Sequence, residues 1–175
     1  MRIVQVVGYK NAGKTTLVCE LVRALTADGR KTGTLKRDAH DHDPEPEGTD
    51  TWKIRRAGAA ATAIVSPSRT GWVLEQPTPL EELISVMEAR GIDDLIVEGF
   101  KEASFPKIAL IRDERDADLL ELSNVVAAAT RLPLPEIERE AGLRGIPVFV
   151  QPDPEPCGPL LAIIRSQADR NDDRK

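Results

Sequence analysis

Hydrophobic positions along this chain change period several times, and each change predicts an element. Residues 3–7, IVQVV, form a nearly continuous aliphatic run, as a strand buried on both faces requires. From Lys14 the period becomes helical: Leu17, Val18, Leu21, Val22 and Leu25 share one stripe, Glu20 and Arg23 lie opposite, and Gly29 stands where the helix stops. Thr32–Lys36 predicts a short second strand. Residues 36–50, KRDAHDHDPEPEGTD, are polar, aperiodic and broken by proline, which predicts a long loop. Residues 51–57 predict a short helix closed by Gly58, and 61–75 predict two strands about a turn at 67–71. Thr78 is placed to open a helix, with Pro79 at its first position, Glu81 completing a capping box, and Leu80, Leu83, Ile84 and Met87 facing inward until Gly91. A buried strand follows over 93–100, DDLIVEGF. Residues 108–111, 125–129 and 147–150 predict further strands, and 135–141 and 159–166 predict helices. The last residues, 167–175, are too polar to pack and are expected to fray.

Strands that alternate with helices imply an α/β fold: a mainly parallel sheet, helices on both faces, right-handed crossovers and a β-hairpin extending one edge. The expected organisation is one domain over residues 1–166 with a polar tail. Only 3 % of the residues are aromatic, so the core must come from Val, Ile, Leu and Ala. The formal net charge is −5, and no Lys/Arg cluster stands out, which argues against nucleic acid as a partner. No apolar run approaches a membrane span, and the N-terminus does not read as a signal peptide. Cys19 and Cys157 form no C-x-x-C pair and suit a reducing compartment, so the cytoplasm is the expected location.

The chemistry is concentrated where the first strand meets the first helix. GYKNAGKT matches G-x-x-x-x-G-K-[ST] at Gly8, Gly13, Lys14 and Thr15. Gly8 permits a sharp turn off the strand. Gly13 lets backbone N–H groups approach phosphate oxygens, and the amides of Asn11, Ala12, Gly13, Lys14, Thr15 and Thr16 are expected to converge on an anion at a helix N-terminus. Lys14 is placed to reach the β- and γ-phosphates and to stabilise charge there during hydrolysis, and the Thr15 hydroxyl to bind Mg²⁺. Where some P-loop proteins carry a signature lysine after the first glycine, this chain has Tyr9, with a lysine one place later at Lys10.

A phosphate loop needs a carboxylate to organise its metal, usually at the end of a neighbouring strand. Glu98 closes LIVE, at the carboxyl edge where parallel sheets bind ligands, with Asp38 and Asp50 as competing acids. Gly99 is placed to offer its N–H to a γ-phosphate. The loop DAHDHD carries His40 and His42 among Asp38, Asp41 and Asp43, a set that can ligate a transition metal, although a loop flanked by proline makes a poor cage. A solvated loop that closes over nucleotide is the favoured reading.

The blocks VVGYKNAGKTTL, GTLKRDAHDHD, DTWKIRRAGA and DLIVEGFK with PKI, spread over residues 3–112, resemble the molybdopterin-guanine dinucleotide biosynthesis adaptor family, MobB. The resemblance implies a GTP- and Mg²⁺-binding P-loop adaptor with weak GTPase activity that supports attachment of GMP to molybdopterin. The transfer itself belongs to a partner, the molybdenum cofactor guanylyltransferase. It also implies a homodimer, and places Asp38, His40, Asp50 and Glu98 in the family's other blocks. One departure stands out: no N-K-x-D element reads guanine, and VVAAATRLP, a strand and loop in a plausible base-side position, carries no aspartate. Two other readings stay open. A small-molecule kinase of the same fold would need an arginine lid, for which Arg112 and Arg115 are thin candidates; a metallochaperone-type GTPase would use the His/Asp loop.

Overall fold

The computed structural model describes residues 1–38, 40, 43–150 and 157–172, the last six by backbone alone. Its eight strands are β1 (Arg2–Gly8), β2 (Thr32–Lys36), β3 (Ala61–Val65), β4 (Thr70–Leu74), β5 (Asp94–Glu98), β6 (Lys107–Ile111), β7 (Val125–Thr130) and β8 (Val148–Val150). Its helices are α1 (Lys14–Ala27), α2 (Asp50–Arg56), α3 (Leu80–Ala89), α4 (Pro135–Leu143) and α5 (Gly158–Asp172), with a 3-10 segment at Glu114–Glu121. Two compact units result: Met1–Arg37 with Val86–Lys175, and the intervening Asp38–Ser85.

In the first unit six strands pair in the order β2-β5-β1-β6-β7-β8, every pair parallel. Alternation along the strands divides the core by face. Val6, Ile108, Leu110, Ala127 and Ala129 pack with Leu17, Leu21 and Leu25 of α1 and Leu160 and Ile164 of α5. Val7, Ala109, Ile111 and Ala128 pack with Leu119 and Leu120 of the 3-10 segment and Ile137 and Ala141 of α4. A side-chain period of two sends neighbours to opposite faces, so a central strand must be apolar at nearly every position. Helix α1 stops as the sequence predicts: Gly29 adopts φ 76°, donates to the Thr26 carbonyl, and lets Arg30 donate to Leu25.

Two buried polar residues tie down the segment that follows β5. Gln5 donates to the carbonyls of Gly99 and Phe100 at 3.0 and 2.7 Å. Lys107, fully buried, donates to the carbonyls of Ala103, Phe105 and Ser123, and burial lowers its ammonium pKa. This strand therefore starts one residue before the predicted 108, because the lysine finds its acceptors inside.

In the second unit Thr49 caps α2, accepting from the Trp52 N–H at 3.4 Å. Arg55 holds Asp43, Glu45 and Glu75 together. The hairpin does not extend the main sheet: β3 and β4 form a two-stranded sheet of their own, turned by Ser66 and Arg69. A short turn lets the strands satisfy each other, so no edge of the larger sheet is needed. Three other expectations change. Helix α3 makes its first bond from the Leu83 N–H to the Pro79 carbonyl, which places Pro79 at the cap in place of Thr78. The 3-10 segment has no counterpart in the predicted elements. Helix α5 runs beyond the predicted 166 to Asp172; 173–175 lie outside the described residues.

Candidate functional site

Gly8 ends β1 where space is short. A Cβ there would lie 3.0 Å from the Leu110 carbonyl oxygen and 3.2 Å from Ala12 Cβ, so the β1–β6 pairing and the returning loop both require glycine. The loop then reverses through left-handed residues, Asn11 at φ 62° and Gly13 at φ 88°. Ala12 donates to the Tyr9 carbonyl at 3.2 Å, and Leu17 makes the first helical bond, to Gly13. The N–H groups of Lys14, Thr15 and Thr16 precede that bond and have no acceptor within the helix. Unpaired amides, a left-handed cap and a helix N-terminus together make an anion-binding concavity.

Lys14 folds back over this loop and donates to the Gly8 and Tyr9 carbonyls at 3.0 and 2.9 Å. Burial lowers its pKa, Glu98 opposes that shift, and the cations Lys101, Lys36 and Arg112 reinforce it. Glu98, 7 % exposed, ends β5 in register with Val6 of β1 and Lys36 of β2. The Thr15 hydroxyl donates to its carboxylate at 3.1 Å, and Lys36 Nζ stands 3.6 Å away. Thus Thr15 and Glu98, 83 residues apart, meet at the mouth of the loop. One hydroxyl and one carboxylate form the hard oxygen set that Mg²⁺ takes, with the remaining positions left to phosphates and water. Among the described residues no group of three or more His, Cys, Asp or Glu could hold a metal ion.

The other expected residues have partners of their own or stand in other elements. The Gly99 N–H, expected on a γ-phosphate, donates to the Val6 carbonyl at 3.1 Å, because Gly99 at φ 91° prolongs the β1–β5 pairing. Asp38 opens the second unit, where its carboxylate accepts from the His40 N–H at 3.1 Å. Asp50 is the first residue of α2. Asp41 and His42 lie outside the described residues, and Asp43 pairs with Arg55. Arg112 and Arg115 are tied to Asp116 and Asp113. Cys19 is exposed; Cys157 is buried, and burial raises its thiol pKa.

Apart from Arg112, considered above as a lid residue, sequence reading missed a set of cations along the carboxyl edge. Lys36 ends β2, Lys101 follows β5, Arg112 follows β6 and Arg131 follows β7. Lys101 Nζ sits 3.8 Å from the Tyr9 ring centroid, with Arg112 5.7 Å from it. The Tyr9 hydroxyl donates to Asp118 at 2.5 Å, and that hydrogen bond raises its pKa. Arg112 also donates to the Lys10 carbonyl at 3.1 Å. The available signal was positional: in a parallel sheet, a basic residue at or just past several strand ends belongs to one edge.

The sheet order, the glycine loop and the Thr15–Glu98 pair define the class: an α/β protein with a P-loop NTPase-like fold. The family model for "Molybdopterin guanine dinucleotide synthesis protein B" matches residues 3–131, and the chain belongs to this MobB family. It is similar to the "Probable molybdopterin-guanine dinucleotide biosynthesis adapter protein" of Bacillus subtilis, 30 % identical over 168 residues, with 95 % of each chain covered. The corresponding Escherichia coli adapter protein is 38 % identical over 135 residues, covering 72 % of this chain and 76 % of its own. Among solved structures, the X-ray crystal structure of a MobB protein homolog from Bacillus stearothermophilus superposes with a TM-score of 0.74 at 31 % identity, covering 95 % of this chain and 99 % of its own.

Proposed function

We propose that this chain is a GTP-binding adaptor that assists guanylation of molybdopterin during synthesis of molybdopterin guanine dinucleotide. The names of its relatives supply the pathway, and one observation carries the chemistry: Thr15 and Glu98 meet at 3.1 Å beside the open first turn of α1. In this reading the amides of Lys14, Thr15 and Thr16 take phosphate oxygens, and Lys14 turns from the Gly8 and Tyr9 carbonyls to the β- and γ-phosphates. Thr15 and Glu98 hold Mg²⁺, which when bound neutralises charge on those phosphates. Lys36 and Lys101 add positive potential.

Hydrolysis is slow in this account. Arg112, whose charge bears on Lys14, is engaged through both its Nε and Nη2 by Asp116, so it is not poised over a transferring phosphoryl group. Turnover well below the ordinary enzyme value of about 10 per second follows. The output is contact with the guanylyltransferase and with molybdopterin. Self-association is supported by the hairpin, on one face of which Val65, Trp72 and Leu74 are 75, 65 and 44 % exposed.

The test is capture of the tagged chain with and without GTP and Mg²⁺. A nucleotidyltransferase retained in a GTP-dependent way, together with loss of GTP binding in Lys14→Ala at unchanged thermal stability, supports the reading. Unaltered GTP affinity in Lys14→Ala contradicts it.

A further inference from the structure

Tyr9 stands where some P-loop proteins carry a signature lysine, and the fold returns an ammonium to that place from another strand. Lys101, just past β5, holds its Nζ 3.8 Å from the Tyr9 ring centroid, while the Tyr9 carbonyl accepts from Lys14 Nζ at 2.9 Å. Two ammoniums thus flank one residue of the phosphate loop, one on its ring and one on its backbone. The ring is fixed in turn by its hydroxyl, which donates to Asp118 at 2.5 Å.

The backbone that delivers Lys101 follows an unusual path. Gly99 and Phe100 are successive left-handed residues, at φ 91° and 52°. A bulky aromatic residue rarely takes that conformation, and it persists only where its surroundings over-determine it. Here Gln5, fully buried in β1, donates to both carbonyls, and the Ala103 N–H donates to the Phe100 carbonyl at 3.0 Å. Lys107 anchors the Ala103 carbonyl from inside. The locked turn brings Lys101 onto the phosphate loop directly after Glu98.

Other cations of this edge are committed to carboxylates: Lys36 faces Glu98 at 3.6 Å, and Arg112 is bonded twice to Asp116. Lys101 has no carboxylate partner among the described residues and rests on an aromatic face. That contact is weaker than a charge-assisted hydrogen bond to a phosphate oxygen, so the ammonium can change partner without breaking an ion pair. In a phosphate loop the metal bridges the β- and γ-phosphates and the loop lysine reaches both. A cation beside Lys14, on the strand end that carries the metal's carboxylate, therefore stands at the γ end.

We propose, on the phosphate-loop reading above, that Lys101 is the γ-phosphate contact of this site: its ammonium leaves the Tyr9 ring for a γ-phosphate oxygen and makes the chain prefer a nucleoside triphosphate to the diphosphate. The turn after β5 supplies the cation that position 9 lacks.

The experiment is calorimetric titration of the full chain in Mg²⁺ with the β,γ-imido analogue of GTP and with GDP. Wild type is expected to prefer the triphosphate. Lys101→Met, which keeps the stem and removes the charge, lowers that preference about tenfold, as loss of one charge-assisted hydrogen bond implies, and Lys101→Arg restores it. Tyr9 is the chain's only tyrosine, so its ring resonances follow the ammonium. In wild type the triphosphate shifts them more than GDP does; in Lys101→Met the two shifts are equal. If neither nucleotide binds, the phosphate-loop reading falls and the Lys101 assignment with it. If both bind but wild type shows no preference, or Lys101→Met weakens both alike or leaves the preference intact, or the wild-type ring shifts are equal, the Lys101 assignment alone is overturned.

Discussion

At the scale of single residues, the site depends on Glu98. It is buried at a strand end, within 3.1 Å of the Thr15 hydroxyl and 3.6 Å of Lys36 Nζ. A carboxylate placed there without a functional role would be an expensive way to end an aliphatic strand. If it organises Mg²⁺, Glu98→Gln weakens GTP binding in Mg²⁺ by about ten- to a hundredfold, while binding in EDTA stays at the wild-type value. Calorimetry in the two buffers reads this; equal losses in both would mean that Glu98 acts on the fold and not through the metal. Lys14, Thr15 and Glu98 were legible because each belongs to a short local pattern. Lys36, Lys101 and Arg131 were not, because nothing in their immediate sequence distinguishes them from surface cations. Only the parallel pairing brings their strand ends to one edge. The Gly99 amide was misread for a related reason: its acceptor, Val6, is 93 positions away on β1.

At the scale of elements, the junction of β1 and α1 was legible in detail, since its glycines answer to local geometry. Gly13 combines φ 88° with Arg131 Nη2 3.1 Å from an added Cβ. Gly13→Ala is expected to cost about 1–2 kcal/mol from the left-handed backbone alone. It should also reduce GTP affinity by more than that loss of stability explains, because the cap aims the first amides. Urea unfolding beside calorimetry measures both, and an unchanged affinity would remove Gly13 from the anion site. Other elements were harder to foresee. The 3-10 segment has its buried residues at Asp116, Leu119 and Leu120, a spacing too irregular and too charged to read as a helix. It is held by the Arg112–Asp116 ion pair and by packing on β6 and β7. The hairpin's existence was clear from its turn and its β-branched residues. Its separation from the main sheet was not, because alternation fixes which face a residue takes but not which strand it pairs with.

At the scale of the whole molecule, an acidic chain with a formal net charge of −5 gathers Lys14, Lys36, Lys101 and Arg112 near one another. Net charge describes the surface as a whole and says nothing of one concave edge, where low-dielectric walls concentrate the field. The fold makes that edge by closing β2, β5, β1, β6 and β7 in parallel, so each strand's following residues arrive at the same end of the sheet. Among the described residues no helix is long and apolar enough to cross a membrane. The central claim is that a triphosphate and its magnesium ion sit at the β1–α1 junction. The most direct measurement is a crystal structure of the chain grown with GTP and Mg²⁺. It is expected to show the β-phosphate on the amides of residues 13–16, Lys14 on the β- and γ-phosphates, and the metal between Thr15 and Glu98. Nucleotide bound elsewhere with the Lys14–Gly8 and Thr15–Glu98 contacts undisturbed would contradict it.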